Sequence, residues 1–301
     1  METKDKKMKA CKPEWQSIVA AALLASLVTT PVASQARGVK TAAPQVTVCD
    51  LRTERMTDPM SIDTAEPRIG WRLESKQQNV MQAQAHVIVS STREKAEALE
   101  GDLWDTVIEG DQSQWVRYRG KTLKSNTRCY WRVQVNDSRW SDVAMWNVGL
   151  LTESDWHGQW IGYDHLMPWD SETEHSRLSS RYLRTEFSLE KPVLRATLYV
   201  CGLGMYECFI NGSKVGDRVL TPAPTDYRKT VLYDAYDVTG ELKAAAASRF
   251  CVAAVLGNGR YYTMQQDKKP WKITRFGKPT LRLNLIVEFE DGTRRVIDTN
   301  E

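Results

Sequence analysis

From Leu281 to Phe289 every second residue is large and apolar: Leu281, Leu283, Leu285, Val287 and Phe289, with Arg282, Asn284 and Glu288 among the residues between them. A strand turns successive side chains to opposite faces, so a period of two predicts a half-buried strand and argues against a helix. Asp291-Gly292 follows as a hairpin signal, and Arg294 to Asp298 reads as the return strand. The same period recurs upstream. Trp71 and Leu73 alternate with Arg72 and Glu74, Trp131 and Val133 with Arg132 and Gln134, and Leu194, Ala196, Leu198 and Val200 with Arg195, Thr197 and Tyr199. Ala85, Val87 and Val89 flank His86 and Ile88, and Phe250 to Leu256 is apolar on both faces, the pattern of a central strand. One short helix is predicted over 92–99, where Ser91 and Glu94 have capping-box spacing. Short strands separated by turn clusters predict an all-β chain built of β-sandwiches.

The chain opens on an address. Lys4, Lys6, Lys7, Lys9 and Lys12 are followed by the apolar run Ile18 to Val28 and the small residues around Ala33 to Ala36. That order predicts a signal peptide over 1–36, cut after Ala36, and export to the periplasm or beyond. The apolar run is shorter than the ~20 residues of a membrane span, an N-terminal anchor helix being the alternative. Removing 36 residues from 301 leaves 265, enough for two domains. They are placed at 45–152 and 156–301, with no membrane span in either. The formal net charge of +3 is spread along the chain, and no basic cluster interleaves with aromatics after the signal, so nucleic acid is not an expected partner. Cys49, Cys129, Cys201, Cys208 and Cys251 are odd in number and irregularly spaced, which predicts buried free thiols rather than a disulfide framework. Gly202-Leu203-Gly204 reads as a hairpin turn, which holds Cys201 and Cys208 too far apart to bridge.

Several loops carry candidate chemistry. Asn211-Gly212 reads as a hairpin turn, or as a loop presenting an amide. Asp226-Tyr227 sets a hydroxyl-accepting carboxylate beside an aromatic ring, the composition of a sugar site, although Asp also closes turns. The stretch Gly257-Asn258-Gly259-Arg260-Tyr261-Tyr262 ends a buried strand with glycines that let the backbone turn sharply or approach a ligand. No GxSxG, HExxH or P-loop offers hydrolytic or phosphate chemistry.

These loops sit in a longer pattern: LRTERMTDP and PRIGWRLES early, Asp155-Trp156 with Trp160-Ile161-Gly162 at the junction, then Thr225-Asp226-Tyr227, Tyr236-Asp237-Val238-Thr239 and Gly257-Asn258-Gly259. The pattern resembles the N-terminal part of bacterial α-L-rhamnosidases: a fibronectin-III-like domain followed by the rhamnosidase N-terminal, jelly-roll-like β-sandwich. The resemblance implies that the second domain continues past Glu301 and that the inverting carboxylates belong to a helical barrel further on, so no catalytic residue is expected here. It implies carbohydrate-binding roles for Asn258, Arg260, Tyr261, Asp226 and Tyr227. Arg260 stands where the family usually has tryptophan. Because some such domains bind rhamnose through calcium, it also nominates Asn211 and Asn258 as calcium ligands, calcium being the one cofactor it implies. The expected partners are a rhamnose-containing poly- or oligosaccharide and the catalytic barrel of the same enzyme. Three readings follow: the non-catalytic N-terminal part of an exported rhamnosidase, which assists substrate recognition and supports the barrel; a stand-alone calcium-dependent rhamnose-binding module; or a structural or adhesive sandwich pair.

Overall fold

The computed structural model of the chain describes residues 46–163, 165–173, 176–243, 249–263 and 275–300. The expected signal peptide lies outside the described residues. The first domain runs β1 (Val46–Thr53), β2 (Arg68–Ser75), β3 (Gln84–Ser90), α1 (Arg93–Glu97), β4 (Trp104–Glu109), β5 (Val116–Arg117), β6 (Arg128–Val135) and β7 (Ala144–Asn147). A three-stranded sheet, β1-β2-β5, faces a four-stranded one, β4-β3-β6-β7, and the strands named pair antiparallel. The inward positions of the alternating strands supply the core. Trp71, Trp131, Trp146 and Tyr118 are fully or almost fully buried there, with Tyr118 and Trp131 meeting Trp146 edge-on at centroid distances of 5.9 and 6.4 Å.

The helix starts one residue later than the spacing of Ser91 and Glu94 predicts. Thr92 is its N-cap, accepting from Lys95 N at 3.3 Å. Ser91 is drawn away by Asp102, to which its N and Oγ donate at 2.8 and 2.7 Å. The Ser91 hydroxyl and N–H both donate to that carboxylate in charge-assisted bonds, which fixes Ser91 outside the helix.

The second domain follows a 3-10 turn (Glu153–Asp155). It contains β8 (Ile161–Gly162), β9 (Arg181–Ser188), β10 (Val193–Leu203), β11 (Met205–Ile210), β12 (Ser213–Lys214), β13 (Tyr233–Asp237), α2 (Thr239–Lys243), β14 (Arg249–Gly257), β15 (Thr280–Phe289) and β16 (Arg294–Asp298). Its sheets are β13-β10-β15-β16, with β8 also on β15, and β12-β11-β14-β9. β14 is central, as its two apolar faces predict. The main core lies between the sheets, where Leu281, Leu283, Leu285, Val287 and Phe289 of β15 meet Tyr206, Cys208 and Ile210 of β11 and Val252, Ala254 and Leu256 of β14.

Two expectations are corrected here. Gly202-Leu203-Gly204 is not a hairpin, because β10 and β11 lie in different sheets and the chain crosses between them at Gly204. Gly204 has φ of 137°, and a side chain there would meet the Gly257 carbonyl oxygen at 2.4 Å, so glycine is required at the crossing. Leu194 does not face the core. A register shift between Val193 and Arg195 turns it outward, and it is 53% exposed. The five cysteines among the described residues are free thiols. Burial pushes Cys129, Cys201 and Cys208 each up to about 12.

The outer face of β10 and β15 is polar by its pattern, yet Tyr199, Asn284 and Ile286 on it are buried. The first domain covers it. The Tyr199 hydroxyl donates to Asn126 Oδ1 at 2.9 Å and accepts from Asn147 Nδ2 at 2.8 Å. Beside it the Tyr233 hydroxyl accepts from Ser61 Oγ at 2.9 Å and Leu150 N at 3.1 Å, and donates to Asp63 at 2.5 Å. Arg128, on the first domain, pairs with Asp237 on the second at 2.6 Å. Every one of these contacts crosses from one sandwich to the other, so the joint is a polar network around two tyrosines.

Candidate functional site

At the β14 end of the second sandwich three aromatic rings gather. Tyr261 follows the Gly257-Asn258-Gly259 turn, Tyr227 comes from the long connection between β12 and β13, and Phe276 precedes β15. Tyr227 meets Tyr261 edge-on at 5.3 Å and Phe276 at 5.2 Å, while Tyr261 and Phe276 stack at 5.9 Å. The rings are held from beneath. Tyr262 N donates to Asn258 O at 3.1 Å, closing a turn, and Phe276 N donates to Tyr261 O at 3.1 Å. Gly259 has φ of 54°, and a side chain there would come to 3.0 Å from the Gly204 and Met205 backbone, so glycine makes this turn possible. Gly277 is a second close approach, since a Cβ there would stand 3.1 Å from the Tyr261 hydroxyl.

Phe276 is 37% exposed and both tyrosines are half-buried, so the cluster reaches solvent. Arg260 is exposed alongside it. Burial raises the Tyr227 pKa, and the positive charge of Arg260 offsets part of that rise. Asp226 lies next to Tyr227, but its carboxylate accepts from Arg228 Nε, Nη2 and N at 3.0, 3.2 and 3.3 Å. Those bonds hold it below the usual carboxylate range.

Tyr227, Tyr261 and Arg260 are therefore brought together; the two asparagines do something else. Asn258 is spent on the backbone of the preceding loop, with Oδ1 accepting from Leu178 N at 3.1 Å and Nδ2 donating to Leu178 O at 2.5 Å. Asn211 has φ of 49° in the β11–β12 turn and accepts from Cys251 N at 2.9 Å. The two sit at opposite ends of the β11–β14 ladder, which pairs Met205 with Gly257 and Ile210 with Val252. At a strand rise of about 3.3 Å per residue they are roughly 20 Å apart, and no single ion with ~2.4 Å ligand distances can take both. Among the described residues no three or more His, Cys, Asp or Glu side chains are grouped to hold a metal.

Phe276 was not visible to sequence reasoning, since it follows a stretch without period; Gly277 beside it is the one signal of a close approach. Two other carboxylates serve the fold. Asp234 is buried and accepts from Tyr206 at 2.6 Å, Thr221 at 2.5 Å and Arg218. Asp170 is buried against Arg181 at 2.8 Å. Burial raises the pKa of Asp170, but hydrogen bonds from Ser179, Met167 N and Arg181 outweigh it and hold the group well below the ordinary range. Among the described residues every carboxylate displaced from its ordinary pKa is displaced downward. A general acid at neutral pH needs the opposite displacement.

Comparison with known proteins matches two family descriptions in succession. Residues 48–152 match "Rha78A-like, N-terminal immunoglobulin domain", and residues 191–301 match "Alpha-L-rhamnosidase N-terminal domain". The first domain is thus described as immunoglobulin-like rather than fibronectin-III-like, two names for related sandwiches. An α-L-rhamnosidase of Formosa agariphila is 32% identical over 272 residues, covering 81% of this chain and 28% of the relative. One of Alteromonas sp. is 31% identical over 256 residues, covering 82% and 27%. The solved α-L-rhamnosidase of Dictyoglumus thermophilum superposes with a TM-score of 0.72 at 32% identity, over 85% of this chain and 29% of that one. The chain therefore spans under a third of the length of these relatives.

Proposed function

This chain carries the two domains that stand at the N-terminus of the α-L-rhamnosidases, and from that premise we propose that it recognises a rhamnose-containing glycan without cutting it. The observation that carries the reading is the solvent-reaching cluster of Tyr227, Tyr261 and Phe276 with Arg260 beside it. Sugar sites pair apolar aromatic walls with a few fixed polar groups. A deoxy sugar such as rhamnose offers a methyl group to such rings and hydroxyls to a guanidinium. Asp226, neutralised by Arg228, supports binding rather than proton transfer.

In the same reading the chain is exported, and its second domain supports a catalytic barrel. Tyr163, Leu166, Trp169 and Tyr182 are exposed, and three of them are tied to one corner of the domain. Arg181 lies over Tyr163, Trp169 donates to Ser179, and Tyr182 is 81% exposed on β9. Exposed apolar surface of this kind suits a partner domain.

Titration calorimetry of L-rhamnose into the chain tests the proposal. Binding that is lost in Tyr261→Ala, with an unchanged melting temperature, is expected. Absence of binding, or binding indifferent to Tyr261, overturns it.

A further inference from the structure

A groove of about 710 Å³ runs between the two domains, away from the aromatic cluster. Its volume falls in the range of small-ligand sites, which favour domain junctions. Six cationic side chains line it against the three carboxylates of Glu94, Asp237 and Glu288. Two of those carboxylates are already engaged, since Arg128 holds Asp237 at 2.6 Å and Arg195 holds Glu288. Lys124, Lys243 and Arg294 are exposed, and no carboxylate lies within ion-pairing distance of them among the described residues. The floor adds to the imbalance. Arg128 is 6% exposed and its Nε has no hydrogen-bond partner. Burial and the neighbouring Arg128 both press the pKa of Arg195 downward, the response of a cation crowded by another. The rest of the lining carries the hydroxyls of Ser91, Thr127 and Thr239 beside the ring of Tyr130; Ser91 and Thr239 donate to Asp102 and Asp237 and keep lone pairs to accept with.

We infer that this groove binds an acidic saccharide, a sugar chain bearing carboxylate or sulfate groups, with Lys124, Lys243 and Arg294 receiving the anion. Hydroxyl-bearing walls answer sugar hydroxyls. A peptide would want a row of apolar anchors, and the groove supplies Leu194, Tyr130 and the buried Phe289 among six cations; single-stranded nucleic acid would want a stacking series. The inference stands on the groove and needs neither Tyr261 nor rhamnose.

Calorimetry at low salt tests it on the full chain with three probes: a galacturonate trimer, a chondroitin sulfate oligosaccharide and neutral maltotriose. Binding of at least one acidic probe, none of maltotriose, and a loss of about tenfold or more in Lys124→Ala/Arg294→Ala are expected, a tenfold change being about 1.4 kcal/mol. Which acidic probe binds identifies the anion. The control is Lys76→Ala/Arg139→Ala, which removes the same charge elsewhere, with Lys243→Ala as a second groove variant should the double variant fold poorly. No acidic binding, equal binding of maltotriose, or an equal loss in the control overturns the inference. L-Rhamnose binding measured on the same groove variants separates this outcome from failure of the aromatic site.

Discussion

Tyr199→Phe removes one oxygen from the joint and leaves the ring in place. Tyr199 is fully buried, and its ring lies 6.1 Å from that of Tyr233, a packing the phenylalanine keeps. The hydroxyl is the partner of Asn126 Oδ1, and Asn126 is itself buried. Orphaning a buried acceptor costs about 1–3 kcal/mol. Asn147 Nδ2 loses a second bond but keeps the Val148 carbonyl at 3.0 Å, so that loss is smaller, about 0.5–1 kcal/mol. The sum is about 1.5–4 kcal/mol. Urea unfolding followed by tryptophan fluorescence and by far-ultraviolet circular dichroism measures it, the two probes checking coincidence. An Asn126→Ala partner completes a cycle, with a coupling of at least about 1 kcal/mol expected. A shift below about 0.5 kcal/mol, or a coupling of zero, refutes the view that this hydroxyl holds the domains together.

Gly259→Ala places a side chain at positive φ against backbone, a strain of about 1–3 kcal/mol, and should lower the melting temperature; an unchanged temperature contradicts the geometry. The folded pKa values of Asp170 and Asp237 are depressed, so the unfolded chain takes up protons first. Their stabilisation is complete above the ordinary carboxylate value of about 4 and is lost as the pH falls through the folded values; the urea midpoint should drop below about pH 4, less steeply in Asp237→Asn, and a rise on acidification contradicts this. Cys129, Cys201 and Cys208 are displaced upward, so their contribution is full below the ordinary thiol value and fades as the pH rises through about 12. These thiols should resist iodoacetamide in the native chain at pH about 8 and react in urea; fast native labelling counts against their burial.

Strand periodicity made much of the architecture legible. β15 shows in five alternating residues, and its inner face is the core. Periodicity names a face but not what covers it, so it does not show that the first domain buries Tyr199 and Ile286. It also fails where one residue shifts register, as at Leu194. The glycines of 202–204 signal a tight turn whether the chain returns to the same sheet or crosses to the other, and only long-range pairing decides. At the candidate site Tyr227 and Tyr261 were legible as loop aromatics, but their meeting through Phe276 was not, since the three arrive from separate segments. Asn211 and Asn258 looked alike as loop amides; strand register puts them at opposite ends of one ladder.

Recognition without cleavage is tested most directly by saturation-transfer proton NMR on p-nitrophenyl α-L-rhamnoside mixed with the chain. One spectrum reports which sugar protons touch the protein, and its time course reports whether the glycosidic bond survives. The account predicts transfer to the rhamnose methyl and ring protons, its loss in Tyr261→Ala, and an anomeric signal that does not decay. A steady conversion to free rhamnose, or no transfer to the sugar at all, contradicts it.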